Sequence, residues 1–240
     1  MSSTLKSIWF AAATALISSL LLTGASSGLK EYRLDNVRID NQKNLLKSVG
    51  LIQAGVRYSG EEIEQLYQKN IRSYRADTSG FIGPETAPES KGRPLFLYVQ
   101  SNAIRSYILP VHSRGLWGKI EGYLALENDG ATVAGFTVFS HGETPGLGGE
   151  IEAAWFQKNF RGKKIVDSSG AFTAIAIAKG KAADRIPPER QANYVDGISG
   201  ATLTGRFLSE GLQTTLAAYE KVSANFRDGR IQLNGNMSSK

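Results

Sequence analysis

An apolar run from Ile8 to Ala25 carries no charged side chain, and it constrains this chain more than any other stretch. Its length is near the lower limit of about 17 residues for a helix that crosses a bilayer. A retained membrane anchor is one outcome. A secretory signal cleaved after Ala25 is the other, since the run is short and Thr23 and Ala25 are small. Charge does not orient the span, because Lys30 and Arg33 on one side offset Lys6 on the other.

The rest of the chain is long enough for one globular domain: of 240 residues, 41% are hydrophobic, which supports one sizeable core. The sequence contains no Cys, so structural disulfides, thiolate-ligated zinc and iron–sulfur clusters are excluded. Any redox role requires an organic cofactor. The formal charge of +6 comes from 28 Lys and Arg interleaved with 22 Asp and Glu. Mixed signs of this kind make a solvated surface, and no nucleic acid is expected as a partner.

Beyond the apolar run, Leu34, Val37, Leu45 and Leu46 are spaced among charges as in a helix that breaks near Gly50. A second helix is predicted over Glu61 to Tyr74, with Ile63, Leu66, Tyr67 and Ile71 on one face. Asp77 to Pro94 is rich in Gly, Pro, Ser and Thr and reads as a loop. Strand signals begin at Leu95 to Val99 and continue at Arg105 to Leu109, Tyr123 to Leu126 and Thr132 to Phe139. Asn128-Asp129-Gly130 is a hairpin turn between the last two. Ala171 to Ala178 alternates as a half-buried strand does, and a long final helix is predicted from about Leu203 to about Phe226. This order predicts an α+β fold, an antiparallel sheet with packed helices behind one N-terminal transmembrane helix.

Two stretches carry candidate chemistry. Asp196-Gly197-Ile198-Ser199-Gly200-Ala201-Thr202-Leu203-Thr204 is a turn opening into a helix. The free amides and dipole at such an end hold a phosphate well. Thr202 stands where a simple helix cap also would. His141-Gly142-Glu143-Thr144-Pro145-Gly146-Leu147-Gly148-Gly149-Glu150 is a tight loop whose backbone can approach a ligand closely, or an ordinary structural turn.

Asp-x-x-Ser-Gly-Ala-Thr, here Asp196 to Thr202, resembles the acceptor motif of FMN-binding domains that carry flavin covalently, and the resemblance implies a phosphoester from Thr202 to FMN. With Tyr107-Ile108-Leu109-Pro110, Gly115-Leu116-Trp117-Gly118 and the Glu143 loop, nearly the whole chain is similar to the family of C subunits of Na+-translocating NADH:quinone reductases. The resemblance divides the chain into an anchor over 1–26, a juxtamembrane helical region and loop over 27–94, and a covalent FMN-binding domain over 95–240. It implies flavin contacts from Asp196, Ser199, Gly200, Ala201, Leu203 and Thr204 around Thr202. From the second loop, Glu143 and Thr144 would hydrogen-bond the ring system, with Leu147 against its face. A flavin transferase using FAD would install the cofactor, and Asp196 and Ser199 would also serve its recognition. The implied partners are the other subunits of a membrane-bound reductase and the lipid bilayer, with the FMN domain on the periplasmic side of a bacterial inner membrane. A tethered flavin keeps a high effective concentration at its pocket and cannot diffuse away.

The related G subunit of the ferredoxin:NAD+ oxidoreductase (Rnf) complex shares the acceptor motif and the Glu143 loop; the other two blocks favour the quinone reductase. A membrane-anchored assembly module without flavin is the reading from another class. His141 and Glu143 form a His-x-Glu pair, but with His112 as the second of 2 histidines a metal site is not expected. Ser199 lacks the Gly-x-Ser-x-Gly spacing of a hydrolase elbow, because Ala201 replaces the final Gly. No Gly-x-Gly-x-x-Gly follows a strand, in keeping with a subunit that does not bind NADH itself. A single charge-free helix offers no ion ligands, so a sodium path is expected in other subunits. Trp117 and Trp155 are expected in core or interface packing.

Overall fold

The apolar run folds as one helix, α1 (Ser3–Gly28), in the computed structural model, which describes residues 2–53, 55–85 and 92–231. The Ser2 hydroxyl accepts from the Leu5 amide at 3.4 Å, and no side chain of α1 is buried. At 1.5 Å per residue the helix is about 39 Å long, more than the roughly 30 Å of a bilayer's hydrocarbon core. Among the described residues it is the one helix long and apolar enough to cross a membrane, with a mean hydropathy of 1.8. After Leu29 the chain continues as α2 (Lys30–Ser48).

Two units divide the chain, Met1–Asn41 and Gln42–Lys240, so α2 begins in the first and ends in the second. Leu34 and Val37, in the first, are exposed; Leu45 and Leu46, in the second, are buried. The second unit continues with α3 (Gly60–Asn70), whose start is a capping box: the Glu62 amide donates to Ser59 Oγ and the Ser59 amide to Glu62 Oε2. Its end comes four residues before the predicted one. The Asn70 side chain donates to the Leu66 carbonyl at 2.8 Å, and the chain then extends into β1 (Ile71–Ala76), paired residue by residue with a later strand.

The sheet therefore begins at Ile71 and not at Leu95. Its strands are β1, β2 (Ile82–Pro84), β3 (Arg93–Gln100), β4 (Ala103–Arg114), β5 (Lys119–Glu127) and β6 (Val133–Ser140), in the order β2-β1-β3-β4-β5-β6. Every pairing is antiparallel. The predicted loop Asp77 to Pro94 thus contains β2 and the start of β3, while its residues 86–91 lie outside the described residues. Pro110 is tolerated inside β4 because it lies past Ile108, the last β4 residue paired with β3 on that side. The β5–β6 turn follows its sequence signal, with Gly130 at φ 67° and the Asp129 carboxylate accepting from the Ala131 and Thr132 amides.

Alternation along the strands separates two faces. Tyr107, Leu109 and Val111 join the main core, while the side chain of Ile108 turns to the other face, where Thr137 Oγ1 donates to the Asn44 carbonyl of α2. The chain after β6 covers the main face. It passes a 3₁₀ turn (Gly148–Glu152), α4 (Ala154–Lys158), β7 (Ala176–Ile177), α5 (Ala182–Arg185), a second 3₁₀ turn (Pro188–Asn193) and β8 (Tyr194–Val195). Phe136 stacks on Phe160 with ring centres 4.2 Å apart, fixing this excursion to the sheet.

Two predicted elements are corrected. The strand over Ala171 to Ala178 is only the two residues of β7, parallel to β8, because Ala174 at φ 62° kinks the chain where its amide and that of Thr173 both reach the Ile165 carbonyl. The long final helix is two, α6 (Thr202–Ala218) and α7 (Glu220–Arg227). They part at Tyr219, whose hydroxyl donates to the Pro94 carbonyl at 2.6 Å. Leu208, Leu212 and Leu216 of α6, with Val222 and Phe226 of α7, close the core.

Candidate functional site

The β7–β8 pairing aims the acceptor turn. Beyond it the Gly197 amide donates to the Gly180 carbonyl at 2.7 Å, and Asp196 Oδ1 accepts from the Ala182 amide at 2.7 Å. Asp196 is thus held against the start of α5, and the segment between them is fixed. Gly200 turns the chain at φ 73°, a conformation that disfavours a side chain. A Cβ there would also stand 2.7 Å from Leu147 Cδ2, so the two candidate loops touch at this point.

Thr202 is the first helical residue and not the cap. Ala201 occupies the cap position and makes no side-chain capping bond. The first helical hydrogen bond runs from the Gly205 amide to the Ala201 carbonyl, which leaves the amides of Thr202, Leu203 and Thr204 without partners from the helix. The Thr202 side chain is exposed and makes no hydrogen bond among the described residues. Ser199 is exposed as well. Arg206, four residues on, pairs with Glu210 at 3.5 Å and lies over the Phe207 ring at 5.0 Å, which Arg114 also covers at 4.8 Å.

Thr204 is turned the other way. It is 2% exposed, and its hydroxyl donates to Glu143 Oε2. Glu143 is itself 5% exposed, and its Oε1 accepts from the Trp117 amide at 3.0 Å. Trp117 belongs to the β4–β5 hairpin, which closes with the Gly115 amide donating to the Gly118 carbonyl. The Glu143 amide in turn donates to His141 Nδ1 at 3.1 Å, while His141 Nε2 lies 3.2 Å from Glu152. Three segments far apart in sequence therefore meet on one carboxylate.

Residues 144–147 of the Glu143 loop are open to solvent, while Gly148 and Gly149 are buried. Thr144 is exposed, and its carbonyl accepts from the Leu147 and Gly149 amides. Leu147 is 44% exposed and Leu203 46%. Neither tryptophan of interest is in the core: Trp117 is 71% exposed, and Trp155 is bound by its ring N–H to Glu150 at 3.1 Å.

A cavity of about 550 Å³ opens beside Thr202. Its walls come from Thr173 to Gly180, from Tyr194, Gly197 and Ile198, and from one side of α6; Lys179, Arg190 and Arg206 bring positive charge to it and Glu210 one negative charge. Sequence reading missed Thr173, Lys179 and Tyr194 because Ala171 to Ala178 looked like a strand buried on one side. The available signal was Lys179-Gly180-Lys181, a basic turn directly after small apolar residues. An exposed hydroxyl, amides without helical partners and a cavity that mixes Ala, Ile and Gly with polar side chains beside three basic groups and Glu210 fit a flavin phosphate and ring.

The FMN-binding domain family matches residues 115–217, from the β4–β5 hairpin through most of α6. The C subunit of the Na(+)-translocating NADH-quinone reductase of Yersinia pestis is 32% identical over 230 residues, covering 83% of this chain and 82% of that one. The protein of the same name from Pseudomonas aeruginosa is 30% identical and covers 95% of this chain and 97% of its own length. The crystal structure of the C subunit from Parabacteroides distasonis superposes with a TM-score of 0.69 at 29% identity, covering 81% of this chain and 96% of that chain.

Proposed function

The chain belongs to the family of C subunits of Na(+)-translocating NADH-quinone reductases, and from that premise we propose that it carries FMN as a phosphoester on Thr202 and relays electrons between carriers in neighbouring subunits. The observation that carries the reading is the state of one hydroxyl: Thr202 is exposed at the first position of α6, on the wall of the cavity, and makes no hydrogen bond among the described residues. A structural threonine at that place would be the cap, and here Ala201 has that position.

The chain's own groups divide the work. The amides of Thr202, Leu203 and Thr204 and the α6 dipole favour a phosphodiester, which carries one negative charge. Arg206 lies one turn further along the same side of the helix. Asp196 holds the turn through Ala182, and Ser199, exposed before it, is available to the transferase that attaches the cofactor. Leu147 of the second loop, packed on Gly200, lies beside the acceptor turn, with Thr144 exposed on the same loop. FMN supplies one- and two-electron redox chemistry, which a chain without Cys cannot obtain from a thiol or an iron–sulfur cluster of its own. Helix α1 anchors the subunit in the inner membrane, with the FMN domain in the periplasm.

The full-length chain, co-expressed with a flavin transferase and run on a denaturing gel, is expected to fluoresce, and mass spectrometry should place the FMN mass on the peptide holding Thr202. A colourless wild-type band, or a Thr202→Ala band as bright as wild type, would remove the reading.

A further inference from the structure

We propose that Glu143 is a positioning residue for flavin attachment: its carboxylate fixes the first turn of α6, ahead of the leucines that seat the rest of the helix, so that Thr202 is presented outward, and it does not bind the flavin ring. This rests on the acceptor role of Thr202. Successive helical residues are about 100° apart around the axis, so residues 202 and 204 point to nearly opposite sides. The bond from Thr204 to Glu143 Oε2 turns residue 204 into the protein, which turns residue 202 out of it. The second oxygen is tied to the Trp117 amide, so the reference for that rotation is the β4–β5 hairpin of the main sheet.

The carboxylate has little room for another partner. A Cβ on Gly115 would lie 2.5 Å from Oε1 and one on Gly148 2.7 Å from Oε2, so backbone closes around both oxygens. Glu143 Oε1 and Oε2 each already accept one bond from a different segment, and the residue is buried. An edge of a flavin ring would have to displace one of these contacts. The geometry suits a strut between the hairpin, the glycine-rich loop and the helix start.

The reaction it serves is an attack of Thr202 Oγ1 on the flavin-side phosphorus of FAD. One P–O bond forms, the bridging P–O bond breaks, AMP leaves with the electron pair, and the hydroxyl proton passes to a base of the transferase or to water. Misplacing the attacking oxygen by about 1 Å lowers such a rate by up to about a hundredfold.

The test measures the initial rate of flavin incorporation into the full-length chain, co-expressed with the transferase, by fluorescence of the denatured band, alongside the absorption spectrum of the folded product. Glu143→Ala and Thr204→Val should each slow incorporation about tenfold or more, and the double variant should be no slower than the slower single one. Glu143→Gln should stay within about threefold of wild type, because its oxygen can accept from Trp117 while its amide donates to the Thr204 hydroxyl. Flavin that does attach should absorb as in wild type. If Glu143→Ala does not fold, Thr204→Val and Glu143→Gln decide. Wild-type incorporation into Thr204→Val, additive losses in the double variant, or normal incorporation with a shifted spectrum in Glu143→Gln would each overturn the strut, the last by making Glu143 a ring ligand. A wild-type chain that takes up no flavin instead sinks the acceptor reading of Thr202, and this inference with it.

Discussion

At the α7 end of the helical cover, polar groups are used on one another. Arg227 donates to the Gly130 carbonyl at 2.9 Å and pairs with Glu220; Tyr107 donates to Ser223 at 2.8 Å; Lys164 and Thr132 join Asp129. Burial raises the Tyr107 hydroxyl far above its ordinary range, so it stays a neutral donor. At the α6 end, Glu143 ties three segments together and the Ser113 hydroxyl donates to the Phe207 carbonyl, while the Thr202 hydroxyl makes no hydrogen bond among the described residues and Leu147 and Leu203 face solvent. The same two-helix cover is closed at the α7 end, where it stabilises the fold, and left open at the α6 end, where we propose that the flavin attaches. Stability and function should therefore be separable by position.

The strongest challenge to that division is Phe226→Ala. Phe226 stacks on Tyr107 with centroids 4.2 Å apart and is buried, so its loss should cost about 3–5 kcal/mol, read as a lower denaturant midpoint. Flavin per folded molecule should not change; a parallel loss of flavin would show that the ends are coupled. Arg227→Ala comes next, at about 2 kcal/mol, because it removes the cation from Glu220, whose other oxygen, Oε2, is already buried without a hydrogen-bond partner among the described residues. The partial exposure of the pair keeps the cost below that of a fully buried ion pair.

A smaller effect is expected from Asp129. Burial raises its carboxyl, but bonds from the Thr132 hydroxyl and from the Ala131 and Thr132 amides, with Lys164 nearby, outweigh that and hold it below the ordinary 3.8. A depressed carboxyl contributes stability that is complete above pH 3.8 and is lost as pH falls through the lower folded value. Acid unfolding curves of Asp129→Asn should therefore converge with wild type below that window and differ above it, by under about 1 kcal/mol. Equal differences at all pH values would contradict the assignment. The smallest stability change belongs to Thr202→Ala, within about 0.5 kcal/mol, since that side chain is exposed and makes no hydrogen bond among the described residues. It should nonetheless remove all covalent flavin, and a large loss of stability there would mean that the hydroxyl has a structural partner.

Much of this architecture was legible before the structure. The turn at Asp129-Gly130 and the apolar stripe of the helix predicted from Glu61 are local, set by a few neighbouring residues. The segment over Ile71 to Ala76 was not, because Ile71 completes a helical stripe as readily as it starts a strand; pairing with Tyr98 decides between them. The break at Tyr219 depends on the Pro94 carbonyl, 125 residues away. Burial also pushes that phenol up to about 12, so it remains a donor.

The sequence by itself determined the charge-free span, the glycine-rich loop and the Asp196 to Thr202 motif, because each depends on composition or on spacing within one turn. Only the tertiary structure decided which of two threonines faces outward. Thr204 is drawn in by Glu143, 61 residues earlier, and Glu143 is held by an amide 26 residues before it. Such bonds rest on where the sheet and loops bring distant atoms together, and no local pattern encodes that distance.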